Sequence, residues 1–228
     1  TGDTHCNAIN EMSRFSSKNF PEGRNLDKND WMIITGDFGF IFNNVQSKEE
    51  KYWLDWMNDK PWSWATLDGN HDNIPKLSWL EQKEMLGNKV GVVNESVFHL
   101  KRGLVYTIAE KTFFCLGGAL SIDKEARREG IDWWPSEEPN FVESKRAYTS
   151  LDEVRWQVDY VLTHDAPSWV GDALKSHHME TSYTVRLLDD IFGKQKFSFK
   201  HHYFGHHHID KTVMNDHTCC YNAIHEVK

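Results

Sequence analysis

Leu67-Asp68-Gly69-Asn70-His71-Asp72-Asn73 sets an amide, an imidazole and a carboxylate on consecutive residues directly after a strand-like run. That run, Trp62-Ser63-Trp64-Ala65-Thr66-Leu67, alternates large apolar with small residues. Gly69 then reads as a strand breaker, free to take backbone angles that a Cβ resists. Asn70 and His71 are therefore expected on a loop at a strand's C-terminal end, where α/β sheets place ligands.

Four more stretches repeat the pattern of apolar run, turn and metal-competent side chain: Thr1-Gly2-Asp3-Thr4-His5, Ile33-Ile34-Thr35-Gly36-Asp37, Tyr160-Val161-Leu162-Thr163-His164 and Tyr203-Phe204-Gly205-His206-His207-His208. Side chains of an extended backbone alternate with period two, so Asp3 with His5, and His206 with His208, are expected to share a side. Each pair can chelate one ion or flank two.

In this order the five blocks, Asp-x-His, Gly-Asp, Gly-Asn-His-Asp, a lone His and Gly-His-x-His, resemble those of the calcineurin-like metallophosphoesterase superfamily, in its bacterial and phage-type branch. The likeness runs over residues 2–208. A chance Gly-Asn-His-Asp alone arises on the order of once in a thousand chains of this length, and five ordered blocks far more rarely. The resemblance implies an α/β fold, a four-layer sandwich of two mixed β-sheets flanked by helices. It also implies that two divalent metal ions are held, one by Asp3, His5, Asp37 and His208, the other by Asp37, Asn70, His164 and His206, with Asp37 bridging. Mixed imidazole and oxygen ligation suits manganese, the first choice here, or iron, zinc or nickel, better than calcium or magnesium. Two divalent cations outweigh two carboxylates, so such a site attracts an anionic phosphoryl group, and metal-lowered water acidity supplies the nucleophile.

His71 follows a ligand and is expected to face the leaving oxygen as acid or hydrogen-bond donor. The protein-phosphatase branch carries a further Asp that orients this histidine, and an Arg-Gly pair; both are missing here, leaving Asp72 as the adjacent catalytic candidate. Cys6 stands where the family usually has Gly. Thr1 lies two residues before Asp3, leaving no room for the strand that presents this block in the family, so upstream residues are expected.

The chain has 228 residues, one domain's worth, and a formal net charge of −8. That length buries roughly 70–75% of the unfolded chain's surface without a disulfide. Cys6, Cys115, Cys219 and Cys220 show no paired framework, which fits free thiols in a reducing, cytoplasmic compartment. The acidic balance disfavours a long nucleic acid as partner, and no apolar run is long enough to span a bilayer.

Between the blocks, helices are expected over 7–20, over 48–57 behind a Ser47–Glu50 capping box with Tyr52, Trp53, Trp56 and Met57 as its apolar face, over 74–85, behind a second box at Ser150–Glu153, after Ala166-Pro167, and over 181–192. Strands are expected over 31–35, at 104–108 and 112–117 as a hairpin, over 199–204, and at 212–214 and 218–223. His177 and His178 match no block and read as surface residues. The rim segment 121–135 carries Lys124 and Arg127 as candidate phosphate contacts beside Trp133 and Trp134, whose indoles could stack a base. The substrate expected is a small phosphorylated compound, a nucleotide for example; a nuclease, or a scaffold that binds metal without turnover, is the alternative.

Overall fold

The structure, a computed structural model, describes residues 1–5, 11–175 and 182–227. Eleven strands among them form two mixed sheets. The first holds β1 (Trp31–Ile34), β2 (Ser63–Thr66), β3 (Gln82–Met85), β4 (Asn88–Val92) and β5 (Val97–Leu100) in the order β1-β2-β5-β4-β3. The second holds β6 (Leu104–Ile108), β7 (Lys111–Leu116), β8 (Tyr160–Thr163), β9 (His201–Phe204), β10 (Lys211–Val213) and β11 (His217–Cys219) in the order β10-β11-β9-β8-β7-β6.

Alternation along each strand builds the layers. Ala65 and Phe98 of the first sheet meet Phe113, Cys115, Tyr160 and Leu162 of the second in one buried core between the sheets. The opposite face of the first sheet, with Ile34, Trp64 and Val97, packs under α1 (Lys48–Asn58) through Leu54 and Met57. The outer face of the second, with Phe114 and Val161, packs under α3 (Phe141–Glu153) and α5 (Tyr183–Phe192) through Leu151, Leu188 and Ile191. A short helix, α2 (Ile74–Ser78), follows the Asn70 loop, and α4 (Ser168–Leu174) covers Phe204 and Val213. This is the sandwich that the sequence motifs imply.

Several local expectations need correction. The Ser47–Glu50 capping box does open α1, but Tyr52 is exposed and the buried line is Glu50, Leu54 and Met57. Only a 3-10 turn, Met12–Phe15, forms within the described part of 7–20, with Met12 and Phe15 in the core. The segment 74–85 splits into α2 and β3, because β3 is a charged edge strand whose composition reads as helical. Ser150 caps nothing: its hydroxyl bonds Gly103 O at 2.6 Å from inside α3, which is opened by Asn140 and Glu143 as a capping box. Cys6, His177 and His178 lie outside the described residues. Cys115, Cys219 and Cys220 are buried free thiols.

Candidate metal centre

The parallel strands β1 and β2 of one sheet, and β8 and β9 of the other, run into the loops that carry Asp37, Asn70, His164 and His206 respectively. The segment 1–4 runs beside them, with Thr35 N bonded to Thr1 O and Asp3 N to Gly36 O. Arg14 fastens it. Its buried guanidinium donates to Thr1 Oγ1 (2.8 Å), Gly2 O (3.0 Å) and the carbonyl of Tyr221, a clamp the sequence reading missed.

These segments bring all seven expected ligands together. One potential ligand atom from each of Asp3, His5, Asp37 and His208 lies within 4.8 Å of the others. Next to them, Asn70 Oδ1 is 3.1 Å from His164 Nε2 and 3.0 Å from His206 Nδ1. Asp37 Oδ2 is 3.1 Å from His5 Nε2 and 3.4 Å from His164 Nε2, so one oxygen faces a ring from each group.

The pairs converge by a route that strand alternation does not describe. Asp3, His5, Asp37, His206 and His208 all have positive φ, between 44° and 67°, a region that side chains with a Cβ rarely adopt. Strain of this kind, on the order of 1–3 kcal/mol per residue, persists where the surrounding structure over-determines a site. Gly69 is absent from the left-handed set, contrary to expectation; what it supplies is space, since a Cβ there would lie 2.1 Å from Asp37 Oδ1 and 2.6 Å from His164 Nε2.

Neighbouring groups orient the rings. The carbonyl of Thr35 accepts from His164 Nδ1 at 2.9 Å, which leaves Nε2 as the ring nitrogen turned toward the cluster. Glu11 stands 3.7 Å behind His5 Nδ1, and Tyr221 stacks on His208 at 4.9 Å. Burial opposes charge on His164 and His5, but the Asp37 carboxylate outweighs it and raises both rings to about 10. Burial also raises Asp3, to about 7, whereas these imidazolium rings overcome the burial of Asp37 and hold it well below the usual range. Protons on two histidines thus stand where cations would. Asp3 Oδ2 is buried without a hydrogen-bond partner, an orphan that a cation would satisfy. The donor set therefore fits divalent metal.

His71 sits at the rim, its backbone N–H donating to Asp37 Oδ1 at 2.8 Å. Its ring lies 5.5 Å from that of His5, and burial lowers its pKa against the pull of Asp37. Asp72 does not take the expected place beside it. The Asp72 oxygens accept from the backbone N–H groups of Phe38 (3.1 Å), Gly39 (2.8 Å) and Gly69 (2.8 Å), so this buried carboxylate ties two ligand loops together. A cavity of about 220 Å³ is lined by His5, Gly39, Phe42, Asn43, His71 and Arg127. Arg127 thus reaches the site, while Lys124, in an exposed 3-10 turn, is not among the lining residues. Trp134 is buried and packs edge-on against Phe42 at 5.1 Å, so it offers no free face for a base.

Beneath the Asn70 loop lies a buried ionic group that no motif announced. Asp68 accepts from Arg102 Nε at 2.6 Å and pairs with His99 at 3.0 Å.

A two-sheet α/β sandwich with a carboxylate–imidazole cluster at the ends of its parallel strands defines the metallophosphoesterase class. The chain belongs to the calcineurin-like phosphoesterase family, whose model matches residues 1–210, and as a member it is a metal-dependent hydrolase of phosphoric esters. No curated protein matches it. Among the described residues, no helix is long and apolar enough to cross a membrane.

Proposed function

We propose that the chain is a binuclear metallophosphoesterase acting on small phosphorylated compounds. The observation that carries the reading is the placement of Asp37 Oδ2 between a ring of each donor group. Asp3, His5, Asp37 and His208 would hold one ion, and Asp37, Asn70, His164 and His206 the other. When bound, two such ions, manganese first among the candidates, supply positive charge to the phosphoryl oxygens and acidify water to make the nucleophile.

The remaining roles fall to the chain. His71, kept neutral by burial, presents a ring N–H at the rim to the phosphoryl or leaving-group oxygen. Asp72 acts as a positioning residue, since it holds the loops that carry Asp37 and Asn70. Arg127 gives Nε and Nη2 to Asp123 at 2.8 Å each and Nη1 to Asp132 O at 3.1 Å. A guanidinium has five N–H groups, so two remain for phosphate oxygens. The pinning by Asp123 fixes where they are offered.

The cavity beside His71 measures about 220 Å³, room for a phosphoryl group and a small leaving group, where a drug-sized ligand takes roughly 300–1,000 Å³. Phe42 is the large apolar side chain on the cavity wall. The test is a parallel assay, with Mn²⁺ added, of para-nitrophenyl phosphate, its bis-ester, nucleotides, cyclic nucleotides, phosphopeptides and DNA. Turnover of one or more small esters above DNA is expected. Faster cleavage of DNA would point to a nuclease, and two bound Mn²⁺ with no turnover of any ester to a scaffold.

A further inference from the structure

We infer that Ser121 and Glu137 are a positioning pair that decides which way the Asn70 amide faces, and with it the affinity of the cation site Asn70 shares with His164 and His206. The inference rests on the binuclear reading above. An amide side chain has nearly the same shape in its two orientations, but only the oxygen has lone pairs for a cation; the NH₂ end repels one. Something must select the oxygen-inward form.

The selection is a one-way chain of hydrogen bonds in the interior. Asn70 Nδ2 donates to Ser121 Oγ at 3.1 Å, and Ser121 Oγ donates to Glu137 Oε2 at 2.5 Å. All three residues are at most 3% exposed, so bulk solvent does not compete for these bonds. A carboxylate only accepts, so Ser121 commits its single hydrogen to Glu137. It can then only accept from Asn70, which must turn its NH₂ group toward Ser121. Turned the other way, Asn70 Oδ1 would face the serine lone pairs and forfeit both its bond and its cation. Glu137 is itself anchored: its backbone N–H donates to Trp134 O at 3.0 Å, and its carbonyl accepts from Arg102 Nη2 at 2.8 Å.

The test titrates the full chain with Mn²⁺ by calorimetry, with bound metal counted by elemental analysis and the melting temperature of each metal-free variant measured alongside. Wild-type protein should take two ions, and Asn70→Ala identifies the site that Asn70 serves. Ser121→Ala and Glu137→Gln should weaken that same site by about tenfold or more and leave the other within about twofold. The glutamine variant matters because its amide can donate to Ser121 as well as accept, so direction is lost while shape is kept. Asn70→Asp presents an oxygen in either orientation, and in that background the effect of Ser121→Ala should vanish. Unchanged affinity in both single variants would overturn the inference, as would a loss that persists undiminished in the Asn70→Asp background. Fewer than two ions bound to the wild type would instead remove the binuclear reading, and the inference with it.

Discussion

Replacing Arg102 with methionine would leave Asp68 as a buried charge paired only with His99. The Arg102 side chain is 3% exposed and that of Asp68 2%, so solvent screens their 2.6 Å contact very little. The guanidinium also reaches Ser136 O, Glu137 O, Glu138 O and the Glu143 carboxylate, and so ties the Asn70 loop to the start of α3. Removing one partner of a buried ion pair costs about 3–5 kcal/mol. For a chain of this length that corresponds to a fall in melting temperature of roughly 6–20 °C. Urea titration of the metal-free protein measures the loss directly, as a lower midpoint at unchanged slope. The sign with pH is also determined. Burial would raise the Asp68 carboxyl, but Arg102 and His99 hold it below its ordinary 3.8; its stabilisation is present above that value and lost as pH falls through the depressed folded pKa. The deficit of Arg102→Met should therefore be full at pH 7 and shrink in acid. Asp68→Asn combined with Arg102→Met should recover part of the loss, because no unpaired charge remains. A loss below about 1 kcal/mol in the single variant would refute the claim that this pair supports the loop.

Three other outcomes can be checked. Asp37→Asn should lower metal content and turnover together, since one oxygen faces both donor groups; full metal loading in this variant would contradict the bridging role. His71→Ala should keep both ions and lower kcat by about 10²–10⁴-fold, and a rise in KM alone would show a ground-state contact only. His5 and His164, raised to about 10, carry protons at pH 7 in the metal-free protein, a stabilising state complete below their ordinary 6.5 and lost as pH rises through about 10. Asp3, raised to about 7, holds part of a further proton there, so loading with Mn²⁺ at pH 7 should release about two to three protons, measured by calorimetry in buffers of different ionisation enthalpy, and apparent affinity should rise toward pH 9. Release of no proton would show that the two rings are neutral before metal arrives.

Side-chain chemistry and local backbone punctuation were legible in the sequence. Donor chemistry resides in residue type, and each block ends a short apolar run or turn, so Asp3, His5, Asp37, Asn70, His164, His206 and His208 could be picked out as a candidate donor set before their proximity was known. The Ser47 capping box and the 104–116 hairpin were equally local, the latter turning on Ala109 and Glu110, both at positive φ. Only the tertiary structure decided the rest. Asp72 reads as a partner for its neighbour His71, yet its bonds go to Phe38 and Gly39, more than thirty residues away. Ser121 opens the rim segment and Glu137 lies two residues past its end, neither within a motif, and Arg102 sits beside a strand with no motif around it. Their roles come from burial: once water is excluded, each donor and acceptor must find a partner across the fold, and that pairing follows no sequence spacing. The left-handed backbone at five of the candidate donors, Asp3, His5, Asp37, His206 and His208, was likewise absent from the sequence, since angles that none of these residues prefers alone persist only where the surrounding fold over-determines them.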